Sequence, residues 1–227
     1  MSAAAIISEM KSKADPKAVE GMGRFGISSK NTLGLSIPAL REMAKKIGTD
    51  HQVAQALWKS GIHEARILAA FVDDASKVTE AQMEKWVSGF DSWDVCDQVC
   101  SGLFDKTPLA HAKAVEWSRR EEEFVKRAGY VLMAALAVHD KNATDSEFLK
   151  FFPRIEEGSM DPRNFVKKAV NWALRQIGKR NLRLNKASLE LAERISKKGI
   201  PGAKWVASDA IRELKSDGVQ RKLRRSS

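Results

Sequence analysis

A tryptophan and an aspartate, Trp93 and Asp97, stand four residues apart in the segment DSWDVCDQVC at residues 91–100. Read as a helix, the segment buries its valines and cysteines and places Trp93 and Asp97 one above the other beside that apolar face. An aromatic ring next to a carboxylate attracts a cation. Because the chain carries a net charge of +10, the pair indicates a negative polymer with a local positive charge. The same spacing also fits an ordinary core tryptophan.

A second pattern lies in the helix predicted over residues 162–178, where Lys168, Trp172, Arg175 and Lys179 recur at helical spacing outside the apolar stripe. Such a stripe suits a DNA backbone, since the cations can meet phosphates while the indole meets a sugar or base. A solvated basic face with a half-buried tryptophan fits the same residues. Taken alone, the stripe favours that simpler reading.

Arg127 is the third candidate, in a helix that follows three glutamates at residues 121–123. These glutamates suit the positive end of the helix dipole. A guanidinium beside the apolar stripe can pair with Asp97 or hold a phosphate through two hydrogen bonds. A structural salt bridge between stacked helices is equally compatible with its position.

Composition narrows the class of protein. A pI near 9.6 favours nucleic acid or an anionic surface as partner, although a generic basic protein has the same balance. Cys96 and Cys100 share one helical face and are predicted to be unbridged. The four histidines lie far apart, and no Walker loop or dinucleotide fingerprint is present, so neither a metal nor a nucleotide cofactor is predicted.

Residues 1–10 have no basic segment before their short apolar run, so no secretory signal is predicted there, and no apolar run is long enough to predict a membrane span. We therefore expect a cytoplasmic monomer, nucleoid-associated in a bacterium, without a membrane partner.

Helical patterns follow one another with almost no strand signal. The segment FVKRA at 124–128 is echoed by FVKKA at 165–169, 41 residues later, and Trp205 falls 40 residues further on. This period is typical of HEAT repeats, about 40–47 residues long. We predict an all-α solenoid of stacked antiparallel helix pairs over residues 1–214, with a concave basic face. An irregular helical bundle, in which the echo is a coincidence, remains open as an alternative fold.

Residues 215–227 are predicted to be a frayed basic tail that attracts phosphates or only solubilises the chain.

Several segments together resemble the AlkD-like DNA alkylation repair glycosylases, which are built from HEAT-like repeats. The resemblance runs from about residue 16 to about residue 215. The segments that carry it are MGRF at 22–25, LGLSIP at 33–38, SWDVCD at 92–97, KRA at 126–128 and FVKKAVNWALR at 165–175.

The resemblance implies that Asp97 is the catalytic carboxylate, that Trp93 and Trp172 contact the damaged nucleotide, and that Arg127 holds the backbone beside it. The residues implied as further DNA contacts are Phe25, which stands where the family often has tyrosine, Ser36, which stands where some members have glutamine, Phe165, Lys168, Arg175 and Lys179.

The chemistry of such a site can be argued directly. Purines alkylated at N3 or N7 are cationic, so the base leaves as a neutral molecule and needs no general acid, unlike the leaving group in sugar glycosidases. Asp97 can then stabilise an oxocarbenium-like deoxyribose and orient water. The expected partner is double-stranded DNA with alkylated purines, and the expected enzyme is a monofunctional glycosylase, since no lysine stands out as a Schiff-base nucleophile. The resemblance further implies action from the backbone side of a distorted duplex, without a pocket for an extruded base.

Two other classes remain open. One is a HEAT-repeat protein that binds damaged or branched DNA without catalysis. The other is a protein-interaction scaffold, since this fold alone implies no function.

Overall fold

The computed structural model describes residues 1–225, and within that range all regular secondary structure is helical. The chain divides into two compact units, residues 1–107 and residues 108 onward. The expectation of a single domain over residues 1–214 stays a prediction. No helix within residues 1–225 combines the length and apolarity that crossing a lipid bilayer requires.

The first unit is built around α5. Its α-helices, in chain order, are α1 (Ala3–Ser12), α2 (Pro16–Gly23), α3 (Ile37–Ile47), α4 (His51–Lys59), α5 (His63–Val72), α6 (Glu80–Val87) and α7 (Trp93–Gly102), with 3-10 turns at Ala75–Lys77 and Phe104–Lys106. Helix α5 packs against α3, α4 and α7. Nearly all of its side chains are buried, because it has neighbours on several sides.

An aromatic stack packs α4 against α6 in this unit. The rings of Trp58 in α4 and Trp86 in α6 are parallel, with centroids 4.3 Å apart, and Phe90 meets Trp58 edge-on at 6.0 Å. Trp86 is fully buried. These tryptophans therefore belong to the core, in contrast to Trp93.

The second unit consists of helix pairs followed by a short final helix. Its α-helices are α8 (Ala110–Trp117), α9 (Glu123–His139), α10 (Asp145–Leu149), α11 (Phe152–Gly158), α12 (Asn164–Gly178), α13 (Leu182–Ser196), α14 (Pro201–Leu214) and α15 (Asp217–Arg225). The pairs α8–α9, α11–α12 and α13–α14 each pack together, and α12 packs against both α9 and α14. The second helices of successive pairs thus form a continuous row.

The repeat predicted from the sequence is visible in this row. Phe124 in α9 and Phe165 in α12, which occupy the same place in the two echoed segments, have ring centroids 5.5 Å apart. Trp205 in α14, the third echoed position, lies beside α12 with the Lys167 ammonium 5.2 Å from its ring. Equivalent residues of successive repeats therefore meet, as stacking of like units requires.

Close packing in the second unit depends on small residues. A Cβ at Gly129 in α9 would come within 2.9 Å of the Ala114 carbonyl oxygen in α8 and nearer still to the backbone of Ser118. Tyr130, the single tyrosine of the chain, is buried and donates its hydroxyl to the Arg154 carbonyl at 2.9 Å. Burial raises the pKa of this phenol well above its ordinary range.

The sequence predicts one helix over residues 145–155, but the structure has two, α10 and α11. The break falls at residues 150–151, immediately before Pro153 in the first turn of α11. Proline cannot donate the backbone hydrogen bond of a helix interior, so it sits at a helix start instead.

The C-terminal segment also differs from its prediction. Residues Asp217–Arg225 form α15, whereas the sequence predicts a frayed tail. The side chain of Leu223 is buried, and the Gln220 amide donates to the Leu214 carbonyl at 2.7 Å and to Asn185 at 3.2 Å. One apolar side chain and one amide therefore anchor a segment whose composition is otherwise basic. Ser226 and Ser227, the last residues of the predicted tail, lie outside the described residues.

Candidate functional site

Trp93 and Asp97 lie on successive turns at the start of α7. Trp93 is the first residue of the helix, and both side chains are partly exposed, while Val95, Cys96, Val99 and Cys100 are buried. The arrangement expected from their spacing is therefore present, and both cysteines are free thiols, as predicted. The Trp93 indole N–H donates to the Phe25 carbonyl oxygen at 3.0 Å, which anchors one edge of the ring.

A second carboxylate on α7, Asp94, is engaged with a histidine. His63 at the start of α5 places Nε2 2.8 Å from Asp94 Oδ2, and the His63 side chain is only 5% exposed. Burial raises the pKa of the Asp94 carboxyl, but the hydrogen bond and charge of His63 outweigh it, so the pKa is lowered. Asp94 is thus held in an interhelical pair, while the Asp97 side chain is partly exposed on the same helix.

Arg66 holds the segment that leads into α7. Its guanidinium is buried and donates to the Gly89 carbonyl at 2.8 Å and to the Asp91 carboxylate at 2.5 Å. Sequence reasoning did not identify His63 or Arg66. A signal was present, since HEAR at residues 63–66 places three ionisable side chains in one helical turn of an otherwise apolar helix.

Two further predicted site residues flank the loop between α2 and α3. Phe25 is 67% exposed and follows α2, so its ring faces solvent although its carbonyl is bonded to Trp93. Ser36 is exposed and is the N-cap of α3, where its hydroxyl accepts from the Ala39 N–H at 3.4 Å. Phe25 therefore lies beside the Trp93 indole, and Ser36 has a local structural role.

In the second unit, Arg127 is 5% exposed and links α9 to α12 by a hydrogen bond. Its Nη1 donates to the Phe165 carbonyl at 2.5 Å. The Phe165 ring is partly exposed and packs on Phe124. This hydrogen bond connects neighbouring helix pairs through a backbone carbonyl, and both the salt bridge and the phosphate contact considered for Arg127 stay predictions.

The start of α12 is held by an ionic cluster around Asp161. Its carboxylate accepts from Arg163 at 2.6 Å and lies 3.2 Å from the Lys126 ammonium of α9. Burial raises the pKa of Asp161, but hydrogen bonds from Arg163 and Lys126 outweigh it and lower the pKa to about 2. Sequence reasoning missed this cluster.

The cationic stripe on α12 is only partly available. Lys168 is exposed and makes no ion pair within residues 1–225, and Trp172 is partly exposed. Arg175 and Lys179 instead share the Glu213 carboxylate of α14, with the Lys179 bond at 2.6 Å. The pKa of Glu213 is lowered because these two cations outweigh its burial. Lys168 and Trp172 are therefore the members of the stripe that face solvent without a carboxylate neighbour.

Comparison with solved structures identifies the fold class. One structure superposes with a TM-score of 0.76 at 18% identity, covering 85% of this chain and 83% of the other. It is described as representing "a new family of proteins related to the HEAT-like repeat DNA glycosylases with affinity for branched DNA structures". The chain thus has the all-helical HEAT-like repeat fold of these proteins, as the sequence predicts. The predicted concave basic face stays a prediction.

The family follows from the sequence match. Residues 6–214 match the family described as DNA alkylation repair enzyme, and the chain belongs to that family. The resemblance to the AlkD-like glycosylases is thereby confirmed.

Other comparisons add little. An engineered protein superposes at a TM-score of 0.40 with 13% identity over 82% of this chain and 92% of its own. A designed armadillo repeat protein in complex with a peptide superposes at a TM-score of 0.41 with 15% identity, over 83% of this chain and 80% of its own. Both likenesses are too weak to support a conclusion. No curated protein matches the chain.

Proposed function

We propose that the protein is a monofunctional DNA glycosylase that hydrolyses the N-glycosidic bond of cationic N3- or N7-alkylated purines in duplex DNA. Membership of the DNA alkylation repair enzyme family supports the substrate class. The observation that carries the proposal is the pair of partly exposed side chains on α7, Trp93 and Asp97, of which Trp93 is fixed by its hydrogen bond to Phe25.

The pair suits a cationic lesion in two ways. The indole face attracts the charged nucleotide, by about 0.5–2 kcal/mol depending on desolvation. The Asp97 carboxylate stabilises positive charge as it develops on the deoxyribose and orients the attacking water. Neither step provides a proton for the leaving base, so an uncharged base would be a poor substrate.

Helix α7 has two candidate carboxylates, and their surroundings favour Asp97. Asp94 is committed to the buried His63, so moving it toward a substrate would leave the histidine unpaired. The Asp97 side chain is partly exposed and lies one turn from Trp93 on the same helix.

In the second unit, Lys168 and Trp172 are the proposed DNA contacts, because Lys168 is a solvent-facing cation and Trp172 a partly exposed ring one turn later. Arg127 keeps its proposed role of holding the DNA backbone, and Phe165, Arg175 and Lys179 stay proposed DNA contacts, although Arg175 and Lys179 share the Glu213 carboxylate.

A second candidate function is binding of branched DNA without catalysis. It is favoured by the structural neighbour, which is described as having affinity for branched DNA structures. Such a protein would need the basic residues and the exposed rings but not the Asp97 carboxylate.

The test is base release from duplex DNA treated with a methylating agent, by the wild type, Asp97→Asn and Glu190→Gln. The last variant removes one negative charge from an exposed position on α13 and controls for net charge. We expect release by the wild type, a loss of about a hundredfold or more in Asp97→Asn, and little change in Glu190→Gln. Affinity for DNA should be kept in all three.

Binding to a four-way junction and to a linear duplex of the same length separates the two candidates. Tight junction binding without base release by the wild type would replace the glycosylase with the structure-specific binder. Absence of both release and DNA binding would favour the protein-interaction scaffold.

A further inference from the structure

The first turn of α5 buries three ionisable side chains, His63, Glu64 and Arg66, which are 4%, 1% and 8% exposed. Such residues are rarely buried unless they are paired. All three bond to residues outside α5, in the segment around Trp93 and in the loop between α2 and α3.

Two of the three hold α7 and the residues before it. His63 Nε2 lies 2.8 Å from Asp94 Oδ2, one residue after Trp93. Arg66 bonds the Gly89 carbonyl and the Asp91 carboxylate, two residues before Trp93. The first turn of α7 is therefore bonded to α5 on both sides of Trp93.

The third buried residue, Glu64, bonds to the loop between α2 and α3, in which Phe25 also lies. The Glu64 carboxylate accepts from the backbone N–H of Leu33 at 2.9 Å and of Gly34 at 2.6 Å. The His63 backbone N–H adds a bond to the Asn31 carbonyl at 2.8 Å. These bonds hold residues 31–34 of the loop between α2 and α3, the loop that begins next to Phe25.

One helical turn thus bonds to the chain on both sides of Trp93 and to the later part of the loop in which Phe25 lies. We propose that His63 is a positioning residue for the Trp93–Asp97 pair: by donating to Asp94, it sets the position of the first turn of α7 relative to the Phe25 loop. The reaction that this serves rests on the proposed function, but the positioning itself is a property of the first unit. Misplacing reacting groups by about 1 Å lowers rates by about a hundredfold, so a loss of this contact is expected to affect turnover more than DNA binding.

The protein contains a second histidine–aspartate pair, more exposed than the first, that serves as a control in its second unit. His111 places Nε2 2.9 Å from Asp140 Oδ2, and this pair, like His63–Asp94, joins a helix start to a distant aspartate. None of the proposed DNA contacts bonds to His111 or Asp140 within residues 1–225. A histidine–aspartate pair that only stabilises the fold should behave as His111 does.

The experiment compares His63→Leu, His63→Gln and His111→Leu with the wild type on methylated duplex DNA, well below the melting temperature of each variant. We expect His63→Leu to lower kcat by about ten- to a hundredfold with KM within about twofold. His63→Gln keeps an N–H donor and should restore most of kcat, and His111→Leu should have the kcat of the wild type.

If His63→Leu does not fold, Asp94→Asn takes its place in the experiment, since Asp94→Asn keeps the side-chain volume and removes the charge. Unchanged kcat in His63→Leu, or equal losses in His63→Leu and His111→Leu, would overturn the proposal.

A second measurement is independent of catalysis. The Trp93 indole N–H signal in a nitrogen–proton NMR spectrum can be assigned as the one that disappears in Trp93→Phe. We expect its hydrogen exchange to accelerate in His63→Leu and to stay slow in His111→Leu. Wild-type protein without base release would refute the glycosylase alone, whereas unchanged exchange in His63→Leu would refute the positioning role.

Discussion

The indole Nε1 of Trp93 is 3.0 Å from the carbonyl oxygen of Phe25, a residue 68 positions earlier in the chain. This hydrogen bond joins the first residue of α7 to the backbone of the loop after α2, while the Phe25 side chain is exposed. The Trp93 indole, one turn from Asp97, is thereby bonded to a segment of the first unit that is distant in the sequence.

We expect Trp93→Phe to weaken both the site and the fold. The variant keeps an aromatic ring but loses the N–H donor, and a hydrogen bond of this kind contributes about 0.5–1.5 kcal/mol. Base release should fall severalfold and the melting temperature by a few degrees. Trp205→Phe, at an exposed tryptophan of the second unit, is the control. Equal losses of base release in the two variants would show that the hydrogen bond to Phe25 does not matter.

The salt dependence of DNA binding should report the state of the α12 cations. We expect Glu213→Gln to strengthen binding, because it releases Lys179 and leaves Arg175 only the Asp209 carboxylate, at 3.8 Å. The slope of log K against log salt should steepen by up to about 0.9 for each phosphate newly contacted. Glu190→Gln removes the same charge without releasing a cation and should leave the slope unchanged. Identical slopes in the two variants would exclude Arg175 and Lys179 as DNA contacts.

Lys168→Ala tests the solvent-facing cation of the stripe. Since Lys168 has no carboxylate partner within residues 1–225, its removal should weaken binding at low salt and reduce the slope by about 0.9. Lys186→Ala, at an exposed lysine on α13, is the comparison. The proposed contact fails if both substitutions reduce the slope equally.

Asp161 gives an expected pH dependence of stability. Its pKa of about 2 in the folded protein lies below that of an unfolded aspartate. The carboxylate therefore stabilises the fold above about pH 4, and this contribution is lost as the pH falls from about 4 toward 2. We expect Asp161→Asn to cost about 1 kcal/mol at pH 7, after allowing for solvent screening, and much less near pH 2. Melting temperatures across this range would check it, and a constant difference would contradict it.

Gly129→Ala should be strongly destabilising. The added methyl would collide with the backbone of α8 at Ala114 and Ser118, and overpacking of this kind costs about 1–3 kcal/mol. Gly21→Ala is the matched control, since nothing lies within 4 Å of its Cβ position in α2. There the better helix propensity of alanine should add about 0.5–1 kcal/mol. Denaturant unfolding of both variants measures the difference, and equal stabilities would refute the close approach of α8 and α9.

Helical periodicity was sufficient to predict most of the fold. It identified the helix around Trp93, and the echo of Phe124 in Phe165 predicted the repeat, because equivalent positions must meet when like units stack. The exceptions have local causes. Pro153 starts a new helix where one was predicted, and Leu223 anchors a basic segment through a single buried side chain.

The candidate site could be predicted only in part. Spacing within a helix places Asp97 beside Trp93, but it does not distinguish Asp97 from Asp94. That distinction depends on His63, 31 residues away from Asp94. Likewise, the stripe on α12 predicts four neighbouring side chains, while the pairing of Arg175 with Glu213 spans 38 residues. Periodicity carries no information on such pairs, which depend on how separate helices pack.

The single tyrosine has a spectroscopic consequence. Because burial raises the pKa of the Tyr130 phenol, tyrosinate absorbance in mildly alkaline solution would come only from molecules whose second unit has opened. The six tryptophans of the chain are divided equally between the two units, so their fluorescence mixes both. Phenol ionisation therefore offers an optical signal of the second unit alone, with no label attached.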